Sequence, residues 1–173
     1  MSRALATAWA AAAVIAASAA ATHAQERLVP GPKGAPMLLE ALADGVQIYV
    51  CEAKGQGYEW VFKGPEANLF DRTGRQIGQH YAGPTWMTAD RSAVVGEVIA
   101  RADAPKPGAI PWLLLRGKNQ VGTGPLASAA FIRRAETVGG AAPAGGCDAA
   151  HSGEQARMRY SALYEFLGAA EKP

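Results

Sequence analysis

The stretch Gly45-Val46-Gln47-Ile48-Tyr49-Val50-Cys51-Glu52 alternates strictly. Val46, Ile48 and Val50 fall on one face, and Gln47, Tyr49 and Cys51 on the other. A period of two with β-branched residues is the pattern of a strand. Lys54-Gly55-Gln56-Gly57 follows as a turn, and Tyr58 to Lys63 (YEWVFK) alternates again, so the two runs predict a β-hairpin.

The same texture continues outward. Ala67 to Asp71 is short and apolar; Gln76 to Tyr81 and Thr85 to Thr88 are strand candidates separated by Gly83-Pro84. Ala93 to Arg101 (AVVGEVIAR) is a strong strand pattern. Ile110 to Arg116 (IPWLLLR) is apolar on both faces, which fits a strand covered on both sides, with Pro111 at its start because proline has no amide to donate. Leu126 to Glu136 reads as strand, and Ala156 to Leu167 as a closing strand. Gly117 to Pro125 and Gly139 to Gly146 read as connections. Met37 to Ala43 (MLLEALA) predicts one or two short helical turns. About seven to nine short strands with glycine and proline turns predict an all-β single-domain antiparallel sandwich or barrel. No strand–helix–strand unit appears, which argues against a doubly wound dinucleotide fold.

Before the first strand, the chain reads as a secretory signal. Arg3 is followed by an apolar, mostly alanine run from Ala4 to Ala21, ending in Thr22-His23-Ala24. A retained anchor is the rival reading, because the run is about long enough to span a bilayer. Alanine inserts poorly, and Gln25-Glu26 follow in place of a basic stop-transfer cluster, so cleavage after Ala24 is favoured. The expected organisation is signal peptide 1–24, extended lead-in 25–40, β-domain 41–168 and tail 169–173, in a periplasmic or extracellular protein with no stable membrane anchor after cleavage.

The whole chain has 17 basic and 15 acidic residues in 173. Losing Arg3 leaves it near neutral, without the basic face that nucleic acid demands. Cys51 and Cys147 in an exported chain favour a single disulfide over two buried free thiols. It would close a loop of about 96 residues, for which chain-entropy arithmetic gives roughly 4–5 kcal/mol. Two lone cysteines without C-x-x-C spacing make no metal site.

The residues with most chemical potential cluster in Gly78 to Trp86 (GQHYAGPTW). His80 is a candidate general base or metal ligand, with Asp71, Asp90 or Glu97 as acidic partners; a strand histidine bonded to a loop is the simpler reading. Trp86 and Trp112 each stand beside a proline-fixed backbone, as a rigid aromatic platform or as ordinary core. His80, Tyr81, Trp86 and Trp112 form the candidate ligand site. An inward arginine at Arg133 or Arg134 could clamp a carboxylate, although a solvated sheet edge accounts for the pair more simply. No G-x-S-x-G, phosphate loop, dinucleotide fingerprint, haem-attachment or C-x-x-C redox motif is present, so no cofactor is expected.

Several strings together resemble a known family: GVQIYVC at 45–51, GQHYAGPTW at 78–86, IPWLLL at 110–115, Thr137-Val138-Gly139-Gly140 with Ala142-Pro143, and Cys147-Asp148. They resemble the exported bacterial and fungal proteins grouped as domain of unknown function 3455, over about Ala41 to Phe166. The resemblance implies secretion and one small domain, with no activity or catalytic residues to carry over. Some relatives bear a malate-dehydrogenase label, which the missing nucleotide fingerprint does not support. Where the family tends to have Asp-Gly-Ser, this chain has Asp90-Arg91-Ser92. Arginine tolerates positive φ poorly, which argues against a left-handed turn at residue 91. The leading expectation is an exported β-domain that binds a small molecule or an envelope component. A metal- or His80-dependent enzyme and a ligand-free structural envelope protein are the alternatives.

Overall fold

The computed structural model describes residues 28–170; the expected signal peptide at 1–24 lies outside the described residues, as do 171–173 of the expected tail. Eight strands follow one another around a closed antiparallel barrel, each pairing with the next and the last with the first. They are β1 (Met37–Lys54), β2 (Gly57–Phe70), β3 (Gln76–Tyr81), β4 (Thr85–Thr88), β5 (Ala93–Ala102), β6 (Trp112–Val121), β7 (Phe131–Gly139) and β8 (Gln155–Leu167). Of the two architectures expected, the chain forms the barrel. Closure rests on β1, which pairs with β2 on one side (Leu42 opposite Phe70) and β8 on the other (Leu42 opposite Leu163).

Two local expectations are corrected. Met37 to Ala43 is the start of β1, not helix. Its leucines and alanines have helical propensity, but hydrogen bonding to strands on both sides outweighs a preference of a few tenths of a kcal/mol per residue. Leu126 to Glu136 is not one strand: Pro125–Ser128 is a 3₁₀ turn, and β7 begins at Phe131. The turn places Leu126, fully buried, across one end of the barrel against Leu69, Val94 and Ile132.

Alternation sets what faces inward. On β1 the inward face carries Ala41, Ala43, Gln47, Tyr49 and Cys51. Small residues there and on β5 leave room for large rings elsewhere. A Cβ at Gly96 would lie 2.8 Å from Trp86 Cζ3 and from Leu115 Cδ2, so the interior depends on glycine at that position. Pro65 sits beside Gly64 (φ 152°) at the β1–β2 bulge, where a missing amide is tolerated.

Two devices lie outside the ring. The lead-in packs Val29 against Trp112, Leu114 and Ala135 on the outer face of β6 and β7. Arg133 secures it by donating from Nε to the Val29 carbonyl at 2.8 Å, pairing with Glu165 at 2.6 Å, and stacking over Trp112 at 5.6 Å. This burial on both faces of β6 is what its doubly apolar sequence implied. At the opposite end, Cys51 is joined to Cys147 in the β7–β8 loop, and Trp60 Nε1 donates to the Gly145 carbonyl at 2.9 Å.

The outer wall carries cross-strand ion pairs, including Lys63–Glu52 (2.6 Å), Lys118–Glu97 (2.7 Å) and Arg157–Glu66. A transmembrane barrel presents an apolar band there instead. Among the described residues, no helix is long and apolar enough to cross a membrane.

Candidate functional site

His80 and Trp86 are direct cross-strand partners on β3 and β4, both facing inward. Their rings stack almost parallel, with centroids 4.2 Å apart and planes at 4°. Tyr164 of β8 meets both edge-on, at 5.1 Å from His80 and 5.3 Å from Trp86. The turn joining the two strands, with Gly83 at φ 113° followed by Pro84, brings the Thr85 carbonyl to 2.9 Å from His80 Nδ1. A carbonyl only accepts, so Nδ1 carries the proton. Burial holds the imidazole pKa down to about 3, the Thr85 carbonyl partly opposes this, and the Arg134 charge lowers it further. His80 is therefore neutral near pH 7, with Nε2 as a bare acceptor.

Each proposed acidic partner is engaged elsewhere. Asp71 accepts bonds from Thr73 and Arg75 in the β2–β3 turn, Asp90 from Thr88 and Ser92 in the β4–β5 turn, and Glu97 pairs with Lys118 on the outer wall. His80 is thus not part of a histidine–carboxylate pair with any of them. Among the described residues, no cluster of three or more metal-ligating side chains occurs.

Of the four ligand-site candidates, the barrel brings together His80 and Trp86. Tyr81 directly follows His80 and so points outward, where it is exposed. Trp112 belongs to the outer cluster beneath the lead-in. The same parity separates the two arginines. Arg133 faces out yet is only 8% exposed, because the lead-in covers it, so it is not a solvated edge. Arg134 faces in and donates twice to the Pro111 carbonyl, from Nε at 3.0 Å and Nη2 at 2.8 Å.

The interior opens at the end where Gly83-Pro84 and Ile110-Pro111 lie. A cavity of about 460 Å³ there is lined by Gln47, Tyr49, His80, Trp86, Arg101, Leu113, Leu115, Arg134 and Tyr164, with Phe62 and Val98 exposed at its rim. Tyr49 donates its hydroxyl to the Gly140 carbonyl at 2.7 Å, and burial pushes its pKa up. Trp86 Nε1 is buried without a protein partner, and Gln47 Nε2 and the hydroxyls of Tyr160 and Tyr164 are buried beside one another and Arg134 without a well-formed hydrogen bond. Burial also raises the pKa of both tyrosines, so they stay protonated. Arg134 was one of two possible inward clamps in the sequence, whereas Gln47, Tyr49 and Arg101 were not among the sequence candidates. Alternation offered a signal for Gln47 and Tyr49, which share the inward face of β1 with Cys51.

An eight-stranded up-and-down barrel plugged at one end and hollow at the other is the class of protein that this architecture defines. Eight strands give an interior just wide enough for packed side chains or one small ligand. The chain belongs to the family described as protein of unknown function (DUF3455), whose model matches residues 32–168. No curated protein and no solved structure matches it.

Proposed function

We propose that the chain is an exported single-domain protein that binds a small molecule inside its barrel. The observation that carries this reading is the cavity of about 460 Å³ at the open end. Its size falls within the range of roughly 300–1,000 Å³ typical of ligand sites, and an apolar wall with a few converging polar groups is their usual make-up. The buried donors of Gln47 and Trp86 support it, since an unmet buried donor costs about 1–3 kcal/mol and a bound acceptor relieves that cost. His80 acts here as a neutral wall residue, with its ring against Trp86 and Nε2 available to accept. The start of the sequence, Arg3 followed by an apolar alanine-rich run, and the Cys51–Cys147 disulfide support export.

Native mass spectrometry of protein recovered from its producing cell tests both parts. The expected result is a chain beginning at Gln25 that carries a stoichiometric small-molecule adduct lost on unfolding. A chain retaining Met1 in the cytoplasm overturns export. A bare mass, together with no thermal shift across a broad metabolite set, overturns ligand binding.

A further inference from the structure

The charged groups around the cavity are all cations. Gln47 Nε2 and Trp86 Nε1 are unpartnered N–H groups, and Lys63, Arg101 and Arg134 are cations, while no aspartate or glutamate lines the wall. Lys63 is matched on the outer wall by Glu52. Arg101 and Arg134 are not: among the described residues neither forms an ion pair with a carboxylate. Arg134 uses Nε and Nη2 on the Pro111 carbonyl, and its charge reaches the buried rings: it adds to the burial that holds the His80 pKa down and partly opposes the burial that raises those of Tyr49 and Tyr164. A half-buried guanidinium whose neighbours, the Pro111 carbonyl and the Tyr164 hydroxyl, carry no negative charge is poorly compensated, because a cation removed from water needs an opposing charge.

We propose that the cavity takes an organic anion, with an apolar body along Val98, Leu113 and Leu115 and an oxyanion head held by Arg101 and Arg134. This rests on the reading of the interior as a ligand site. Guanidinium groups suit a carboxylate or sulfonate because their planar fork matches two oxygens at once. The neutral His80 and its stack on Trp86 add a flat apolar wall without a competing negative charge.

Two fluorescent probes that differ by one sulfonate test it: 8-anilinonaphthalene-1-sulfonate and neutral N-phenyl-1-naphthylamine. The whole protein is titrated with each, as are its Arg101→Gln and Arg134→Gln variants. Charge-assisted bonds predict a preference of about tenfold or more for the sulfonate in the parent protein, reduced by about fivefold or more in each variant. Affinity for the neutral probe should stay unchanged. Equal affinity for the two probes overturns the anion proposal and leaves the cavity reading intact. Binding of neither overturns both. A preference that survives both substitutions overturns the assignment to these arginines. Arg101 is exposed and free of ion pairs among the described residues, so its variant reports even if Arg134→Gln fails to fold.

Discussion

The two ends of this barrel are built from the same strands and do opposite things. At the plugged end Leu69, Val94, Leu126, Ile132 and Phe166 are each fully buried, and the few buried polar groups, Thr88 and Ser92, bond one another and the Leu126 amide. At the hollow end the inward positions of the same β1, β5, β7 and β8 carry Gln47, Arg101, Arg134 and Tyr164 around open space. The contrast teaches that stability and recognition are separated along the barrel axis, and substitutions should separate them too.

The largest effect is expected at the plug. Leu126→Ala removes a fully buried side chain that does not line the cavity and should cost about 2.7–5 kcal/mol, read as a lower denaturant midpoint. Anilinonaphthalene binding by the molecules that remain folded should be unchanged; a loss of both together would break the division between the ends. The disulfide comes next. Cys51→Ser with Cys147→Ser opens a 96-residue separation and should cost about 2–5 kcal/mol. Because Cys147 lies in a loop tied to the β1–β2 hairpin, that loss should bring faster proteolysis of residues 140–154 than of the plug.

A smaller effect is set by pH. His80 is neutral when folded, with a pKa of about 3 against 6.5 for a free imidazole, so the unfolded chain binds the extra proton between those values. Stability should therefore fall as pH drops from about 6.5, by at most ~1.4 kcal/mol per pH unit for one proton. Thermal melts from pH 7 to 5 should show this slope in the parent and a flatter one in His80→Gln. Exposed His151 has the opposite sign: its hydrogen bond to Asp148 raises its pKa, so what it contributes is present at low pH and lost as pH rises. Equal slopes in the parent and His80→Gln would remove histidine from the account of the hollow end. The smallest effect is a gain. Contrary to the expectation from its side chain, Arg91 is left-handed, with φ 65°, held by the Asp90 carboxylate accepting from Thr88 Oγ1 and the Ser92 amide. The left-handed conformation costs a side-chain residue about 1–2 kcal/mol, partly offset by glycine's greater freedom when unfolded. Arg91→Gly should thus stabilise by about 0.5–1 kcal/mol without changing probe binding.

The strands were legible in the sequence wherever alternation met a turn signal, as at Gly45 to Glu52 and Ala156 to Leu167. What alternation alone could not decide was closure, because Leu42 meeting Leu163 is a contact between opposite ends of the chain. Met37 to Ala43 misled for the same reason: its partners lie far away in sequence. The candidate site was half legible. Composition drew attention to His80 and Trp86, but counting aromatics overrode parity at Tyr81, whose neighbour already occupied the inward face. The sequence left open which of Arg133 and Arg134 faces inward, and parity along β7 gives that place to Arg134. Only the lead-in packed on the outside shows that neither arginine lies on a free edge.

The pairing of the first strand with the last also sets the order in which the molecule can be made. A chain emerging N-terminus first presents β1 long before β8 exists, leaving one side of an 18-residue strand unmatched. Such an edge invites pairing with another chain. The final ladder is the most non-local in the molecule, and non-local pairing is the slow part of folding. The barrel is thus vulnerable during its own synthesis in a way its finished form does not reveal, and its closure waits on β8.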